Sequence, residues 1–171
     1  MLFLRSEKTM IRYLRDAGAH IGENDKYTHI GNIDALGSEP YLVDIGDNVY
    51  FASGVRMVTH DGSVGRLYHM GFTDKMYDSF GKIRIGSNCF IGINSVIMKG
   101  AEIGDNCIIG AGSIVTKKIP DNSVACGVPA HVIGSVEDFY RKNKDNFSDT
   151  VKCNPYKKRM YLENMYGDKN E

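Results

Sequence analysis

The sequence predicts a mainly β chain whose short strands wind into a three-sided coil. Three observations predict it. First, residues 85–120 divide into sixes, IGSNCF, IGINSV, IMKGAE, IGDNCI, IGAGSI and VTKKIP, and each block opens on an aliphatic residue. Second, the fourth places are Asn88, Asn94, Gly100, Asn106, Gly112 and Lys118, mostly residues that accept positive φ cheaply. The fifth places are Cys89, Ser95, Ala101, Cys107, Ser113 and Ile119, mostly small. Third, a period of six is neither the helical period nor strand alternation. It fits a short strand, a corner and another short strand, with the first and fifth places inward and the fourth at the corner. Three blocks then close one turn of 18 residues, and turns stack through parallel ladders.

The elements follow in order. Residues 6–17 read as a short helix, with Ser6 as N-cap, an apolar stripe of Met10, Ile11 and Leu14, and Gly18 beyond its end. This helix covers the open end of the stack, which would otherwise be an edge that recruits other chains. The six-residue rhythm starts imperfectly at Ile21–Gly22, Tyr27 and Ile33, and slips across residues 35–44, where Gly37–Ser38–Glu39–Pro40 interrupts. It resumes at Ile45–Gly46–Asp47–Asn48–Val49, then Phe51 with Gly54, then Met57 with His60. His60 thereby falls at a corner, where its side chain projects outward.

Residues 62–82 contain no six-residue block. They are polar and glycine-dotted, with Arg66, Tyr68, His69, Tyr77 and Phe80 interspersed. A loop of this length inside a compact domain is functional or disordered, and its departure beside His60 makes it an arm that walls a site. Residues 83–120 give two regular coils, and 121–133 most of another. Ser135–Val136–Glu137–Asp138 resembles a capping box, and Asn154–Pro155 starts a helix reaching about Met165. The expected organisation is a capping helix in 1–20, the coil in 21–134 with its inserted loop 62–82, and a helical tail in 135–171.

Lys+Arg and Asp+Glu balance at 21 each, so charge gives no reason to expect nucleic acid or an anionic membrane as partner. The four cysteines show neither metal spacing nor a secreted framework. Cys89 and Cys107 lie one coil apart and stack as small buried thiols. The N-terminus has charges at Arg5, Glu7 and Lys8 and no long apolar run, and nothing approaches a membrane span. The expectation is a cytoplasmic protein with no signal peptide.

Among the histidines His60 is the candidate base. It breaks the Asn/Gly preference at a corner, the arm begins beside it, and imidazole suits proton transfer near neutral pH. Asp61 is placed to orient the ring or to touch substrate, whether Asp61 or Glu39 orients the ring stays open, and His69, on the arm, is a rival base. His20, His29, His60, His69 and His131 form no metal set, so no metal is expected.

Several stretches carry a resemblance: Ile103–Gly104–Asp105–Asn106, Gly110–Ala111–Gly112–Ser113–Ile114–Val115–Thr116–Lys117, Gly127–Val128–Pro129–Ala130 and Thr59–His60–Asp61–Gly62. Over residues 21–133 the chain resembles the hexapeptide-repeat acyltransferases, and within them the galactoside, maltose and capsular-polysaccharide O-acetyltransferase group. The resemblance implies a left-handed parallel β-helix of hexapeptide repeats. That handedness is an exception to the right-handed crossover rule and comes from the family alone.

The resemblance also implies acetyl transfer from acetyl-CoA directly to a hydroxyl of a sugar or polysaccharide precursor, with His60 at the catalytic position. The N–H of Ile93 would hold the thioester oxygen, and Phe90 would lie beside the pantetheine. Ala111, Thr116 and Lys117 would line the coenzyme A groove, with Lys117 near phosphate. Residues 127–130 would turn under the adenine end. Relatives commonly carry Arg or Lys next, where this chain has His131, so Lys118 or the C-terminal basic run would compensate. Asn32 and Glu39 would face the sugar. The family assembles as homotrimers with sites between subunits. Two other functions remain open: N-acetylation of an amino sugar or antibiotic on the same fold, and a non-catalytic β-helix used for assembly.

Overall fold

The computed structural model describes residues 6–167. The first five and last four residues, assigned from sequence to the capping segment and the tail, lie outside the described residues. The chain divides into two compact units between Phe139 and Tyr140.

Three sheets of short parallel strands build the first unit. In the first, His20–Ile21, Val43–Ile45, Ile83–Ile85 and Glu102–Ile103 lie side by side, and Ile119 bridges to Ile103. In the second the order is Tyr50–Phe51, Phe90–Ile91, Ile108–Ile109 and Ser123–Gly127, with His29 bridged to Tyr50. The third holds Arg56–Val58, Val96–Met98 and Ile114–Val115. Ile85 faces Ile103, Ile91 faces Ile109, and Ile97 faces Val115, so the 18-residue repeat sets all three registers.

In the first five blocks the places do what the pattern expects: Ile85, Ile91, Ile97, Ile103 and Ile109 are buried, and so are Cys89, Ser95, Ala101, Cys107 and Ser113. The sixth block departs from it: Val115 is buried, but the coil is two residues short, so Ile119 takes a first place in register with Ile103, and Asn122, at φ 58°, takes the corner expected of Lys118. Asn88, Asn94 and Asn106 sit at φ 58°, 56° and 55°, and Gly100 and Gly112 at 81° and 68°. An asparagine at such a corner adds a bond that glycine lacks. Asn48 donates through Nδ2 to Oδ1 of Asn88 at 3.1 Å, Asn88 to Asn106 at 3.1 Å, and Asn106 to Asn122 at 3.0 Å. The row fastens coil to coil along one edge. The inward hydroxyls are also paired, Ser95 and Ser113 both donating to the Gly110 carbonyl. Burial pushes the Cys89 thiol up to about 12 and the Cys107 thiol upward as well, which keeps both neutral.

Helix α1, Glu7–Asp16, starts where Ser6 accepts the Thr9 N–H and buries Met10, Ile11 and Leu14 in the common core. Glu7 ties it to the first coil, 2.9 Å from Nδ1 of His29. Phe51 lies at the centre of that core with no exposure. Phe51→Ala is expected to cost about 3–5 kcal/mol, seen as a lower urea midpoint with an unchanged slope; an unchanged midpoint would contradict this packing.

Two further segments differ from the expected pattern. His60 is not a tight corner: His60–Asp61 is extended and pairs antiparallel with Ser79–Phe80. A histidine there avoids positive φ, and the arm's returning chain supplies the hydrogen bonds. The arm holds a 3-10 turn, Gly62–Gly65, and a short helix α2, Arg66–His69. After Ser123–Gly127 the chain does not continue another coil. Gly127, at φ 103°, reverses it, and Ala130–Ser135 returns antiparallel. Beyond lie helix α3, Val136–Asn143, where Ser135 accepts the Asp138 N–H at 3.0 Å, and helix α4, Pro155–Tyr166, capped by Asn154. No helix among the described residues is long and apolar enough to cross a membrane.

Candidate active site

The site grows from the point where the third sheet gives way to the arm. The strand Arg56–Val58 delivers Thr59 to the interior, 1 % exposed, and His60 to the surface, with its side chain 44 % exposed. The facing carboxylate comes from the stretch where the rhythm slips. Two 3-10 turns, Ile33–Leu36 and Pro40–Leu42, bracket Glu39 and bring it back against His60. Oε2 of Glu39 lies 3.0 Å from Nδ1 of His60, and the buried Thr59 hydroxyl donates to the same oxygen. Ser38 Oγ lies 3.4 Å from Nδ1. The Phe80 ring stands 6.0 Å from the imidazole at 53°.

This arrangement fixes charge and tautomer. The Thr59 hydroxyl bond, then the His60 bond, hold the Glu39 carboxyl below its ordinary value, so it is ionised at neutral pH. An ionised carboxylate only accepts, so the 3.0 Å contact needs the proton on Nδ1 of His60. The other ring nitrogen, Nε2, then offers its lone pair outward, which is the form a general base requires.

Asp61 has different partners. Its Oδ1 accepts the Ser63 N–H at 2.9 Å, and its Oδ2 lies 3.9 Å from the Lys99 ammonium. Hydrogen bonds from Ser63, then Lys99 and His60, hold its carboxyl below the ordinary value. Asn32 likewise serves locally, accepting the Asp34 N–H at 2.9 Å. It lines a separate hollow of about 380 Å³ with His29 and Tyr50.

The residues expected to hold coenzyme A divide. Thr116, Lys117, residues 128–130 and His131 line one hollow of about 450 Å³. Ala111 is exposed. Ile93, 47 % exposed, gives its carbonyl to the Gly112 N–H at 2.7 Å. Phe90 stacks on Tyr50 at 5.7 Å, and Tyr50 on His29 at 4.7 Å. Lys118 joins none of these. It turns to the first sheet, 3.8 Å from Glu102, beside the larger hollow of about 810 Å³ on that sheet. Among the described residues no group of three or more His, Cys, Asp or Glu side chains is placed to hold a metal.

Thr59, Ser38, Phe80 and Lys99 were missed as site residues. Thr59 had a signal, a hydroxyl directly before the odd histidine. The others depend on where the arm and the irregular stretch return.

Comparison with known proteins agrees with the repeat. The family model described as the hexapeptide repeat of succinyl-transferase matches residues 82–117. The protein CapG of Staphylococcus aureus is 42 % identical over 153 residues, covering 90 % of this chain and 87 % of that protein. The galactoside O-acetyltransferase of Escherichia coli strain K12 is 44 % identical over 119 residues, 70 % of this chain and 55 % of that enzyme. Among solved structures, a maltose O-acetyltransferase from Clostridium difficile 630 aligns with a TM-score of 0.55 at 27 % identity, covering 77 % of each chain.

Proposed function

We propose that this chain, which belongs to the hexapeptide-repeat acetyltransferases, moves an acetyl group from acetyl-CoA to a hydroxyl of a sugar or polysaccharide precursor. The carrying observation is the hydrogen-bonded set of Thr59, Glu39 and His60 at the root of an arm. Nε2 of His60 takes the acceptor hydroxyl proton as that oxygen attacks the thioester carbonyl carbon. The carbon–sulfur bond breaks as the tetrahedral oxyanion collapses, and the imidazolium returns the proton to the departing thiolate. Glu39 holds the ring and offsets the positive charge that forms on it. Asp61 shapes the arm and does not act on the proton.

In this reading the three sheets close as a left-handed parallel β-helix, and three copies pack side by side. The Thr116, Lys117 and His131 hollow takes part of the coenzyme, with the Ile93 N–H on the thioester oxygen. Exposed Tyr50, Phe90 and Ile93 favour such packing, because each leaves apolar surface on an outer face. The sugar acceptor is supported by the galactoside and maltose enzymes among the relatives.

The test is thiol release from acetyl-CoA across a panel of hydroxyl and amino sugars. Turnover with a hydroxyl acceptor, with an acetyl ester as product, is expected. An amide product alone would move the reading to N-acetylation, and no release with any acceptor would leave an assembly role.

A further inference from the structure

We propose that Lys99 is a positioning residue that clamps both legs of the arm and so sets Phe80 against His60; this rests on His60 being the base. Lys99 belongs to the coil after His60 and stands just before the corner at Gly100. Its side chain is 25 % exposed. The ammonium donates to Ser79 Oγ, lies 3.4 Å from the Ser79 carbonyl, and stands 3.9 Å from Oδ2 of Asp61. Ser79 opens the returning leg and Asp61 closes the departing one. One cation thus reaches both.

The surrounding contacts show why a clamp is needed. The stem pairs only His60 with Phe80 and Asp61 with Ser79. A two-stranded ribbon of that size is not stable alone. Below it the returning chain is fitted tightly to the next coil. The Gly81 N–H bonds the Thr59 carbonyl at 2.9 Å, and the Lys82 carbonyl accepts the Gly100 N–H at 2.8 Å. A Cβ on Gly81 would stand 3.1 Å from the Gly100 nitrogen and 3.2 Å from Cβ of Lys99. The departing leg is shaped by the other Asp61 oxygen, which caps the turn at Ser63. Lys99 ties that capped turn to the returning strand, and the Phe80 ring is the side chain this delivers to the imidazole.

The experiment compares wild type, Lys99→Met, Lys99→Arg and Ser79→Ala. Limited trypsin cleavage at Arg66 and Lys75 reads how often the arm opens, and needs no activity. Lys99→Met is expected to speed that cleavage by roughly ten- to a hundredfold, the scale of one charge-assisted hydrogen bond. It should also raise KM for the acceptor while leaving KM for acetyl-CoA unchanged. Lys99→Arg should restore most of both, and Ser79→Ala should loosen the arm to a lesser degree. Faster cleavage with a normal melting temperature supports the clamp even if His60→Ala proves fully active, in which case only the acetyltransferase reading fails. Unchanged cleavage in both Lys99→Met and Ser79→Ala overturns it, as does an equal rise in both KM values.

Discussion

His60→Ala is expected to lower kcat for acetyl transfer by about 10²–10⁴, the range for loss of a general base. Acetyl-CoA binding should persist, because Thr116, Lys117 and His131 lie in their own hollow. The side chain is half exposed, so its removal opens no core cavity, and the melting temperature should barely move. Steady-state kinetics with saturating acceptor, beside a coenzyme titration, separate these effects. Wild-type turnover in this variant would mean that the proton leaves by another route, and His69 on the arm would be next to test. The result matters beyond this one residue, because the orientation of His60 is the reason Glu39 and Thr59 make sense as a set.

Glu39→Gln should be almost as damaging, with a fall in kcat up to ~10⁴ by analogy with the carboxylate of a catalytic triad. The neutral amide removes the charge that supports the imidazolium. If its NH₂ faces the ring, it also forces the proton from Nδ1 to Nε2, which abolishes the base. The variant carries a second signature. The Glu39 carboxyl is held below its ordinary value by Thr59 and His60, so in the folded state it stays ionised at lower pH than in the unfolded chain. Its contribution to stability is therefore present above the unfolded value of about 4.3 and is lost as pH falls through the lowered folded value. Urea midpoints measured from pH 6 down to pH 3 should show a stretch of that slope in the wild type that Glu39→Gln lacks. An identical pH dependence in both proteins would sink the account of Glu39 as a carboxylate held ionised by Thr59 and His60.

The coil was legible because its cause is local. Every first place from Ile85 to Val115 is buried, and the corner asparagines take positive φ, since each choice answers to neighbours one repeat away. The pairing of Glu39 with His60 was only half legible, because the sequence leaves open whether Asp61 or Glu39 orients the ring. It spans 21 residues and passes through the stretch where the rhythm fails, so no period could place it. The sequence offered Asp61 as the nearer carboxylate, yet adjacent residues on an extended strand point to opposite sides, and Asp61 finds Ser63 and Lys99 instead. The same limit explains Lys118. Adjacent to Lys117 in sequence, it turns around the corner to the first sheet and Glu102. The turn at 127–130 was expected from the resemblance, but the antiparallel return of Ala130–Ser135 along Ser123–Gly127 was not, because no six-residue period marks where a coil ends.

The amide row also bears on how such a chain changes over time. Asn48 meets Asn88 across 40 residues, whereas Asn88 meets Asn106 across 18. The excess of 22 residues enters and leaves at one edge without shifting a single rung above or below. The parallel ladders are therefore indifferent to what is spliced there. On the proposed function, exchanging that one excursion changes the acceptor side of the site, while His60, Glu39 and the hollow of Thr116, Lys117 and His131 stay where they are.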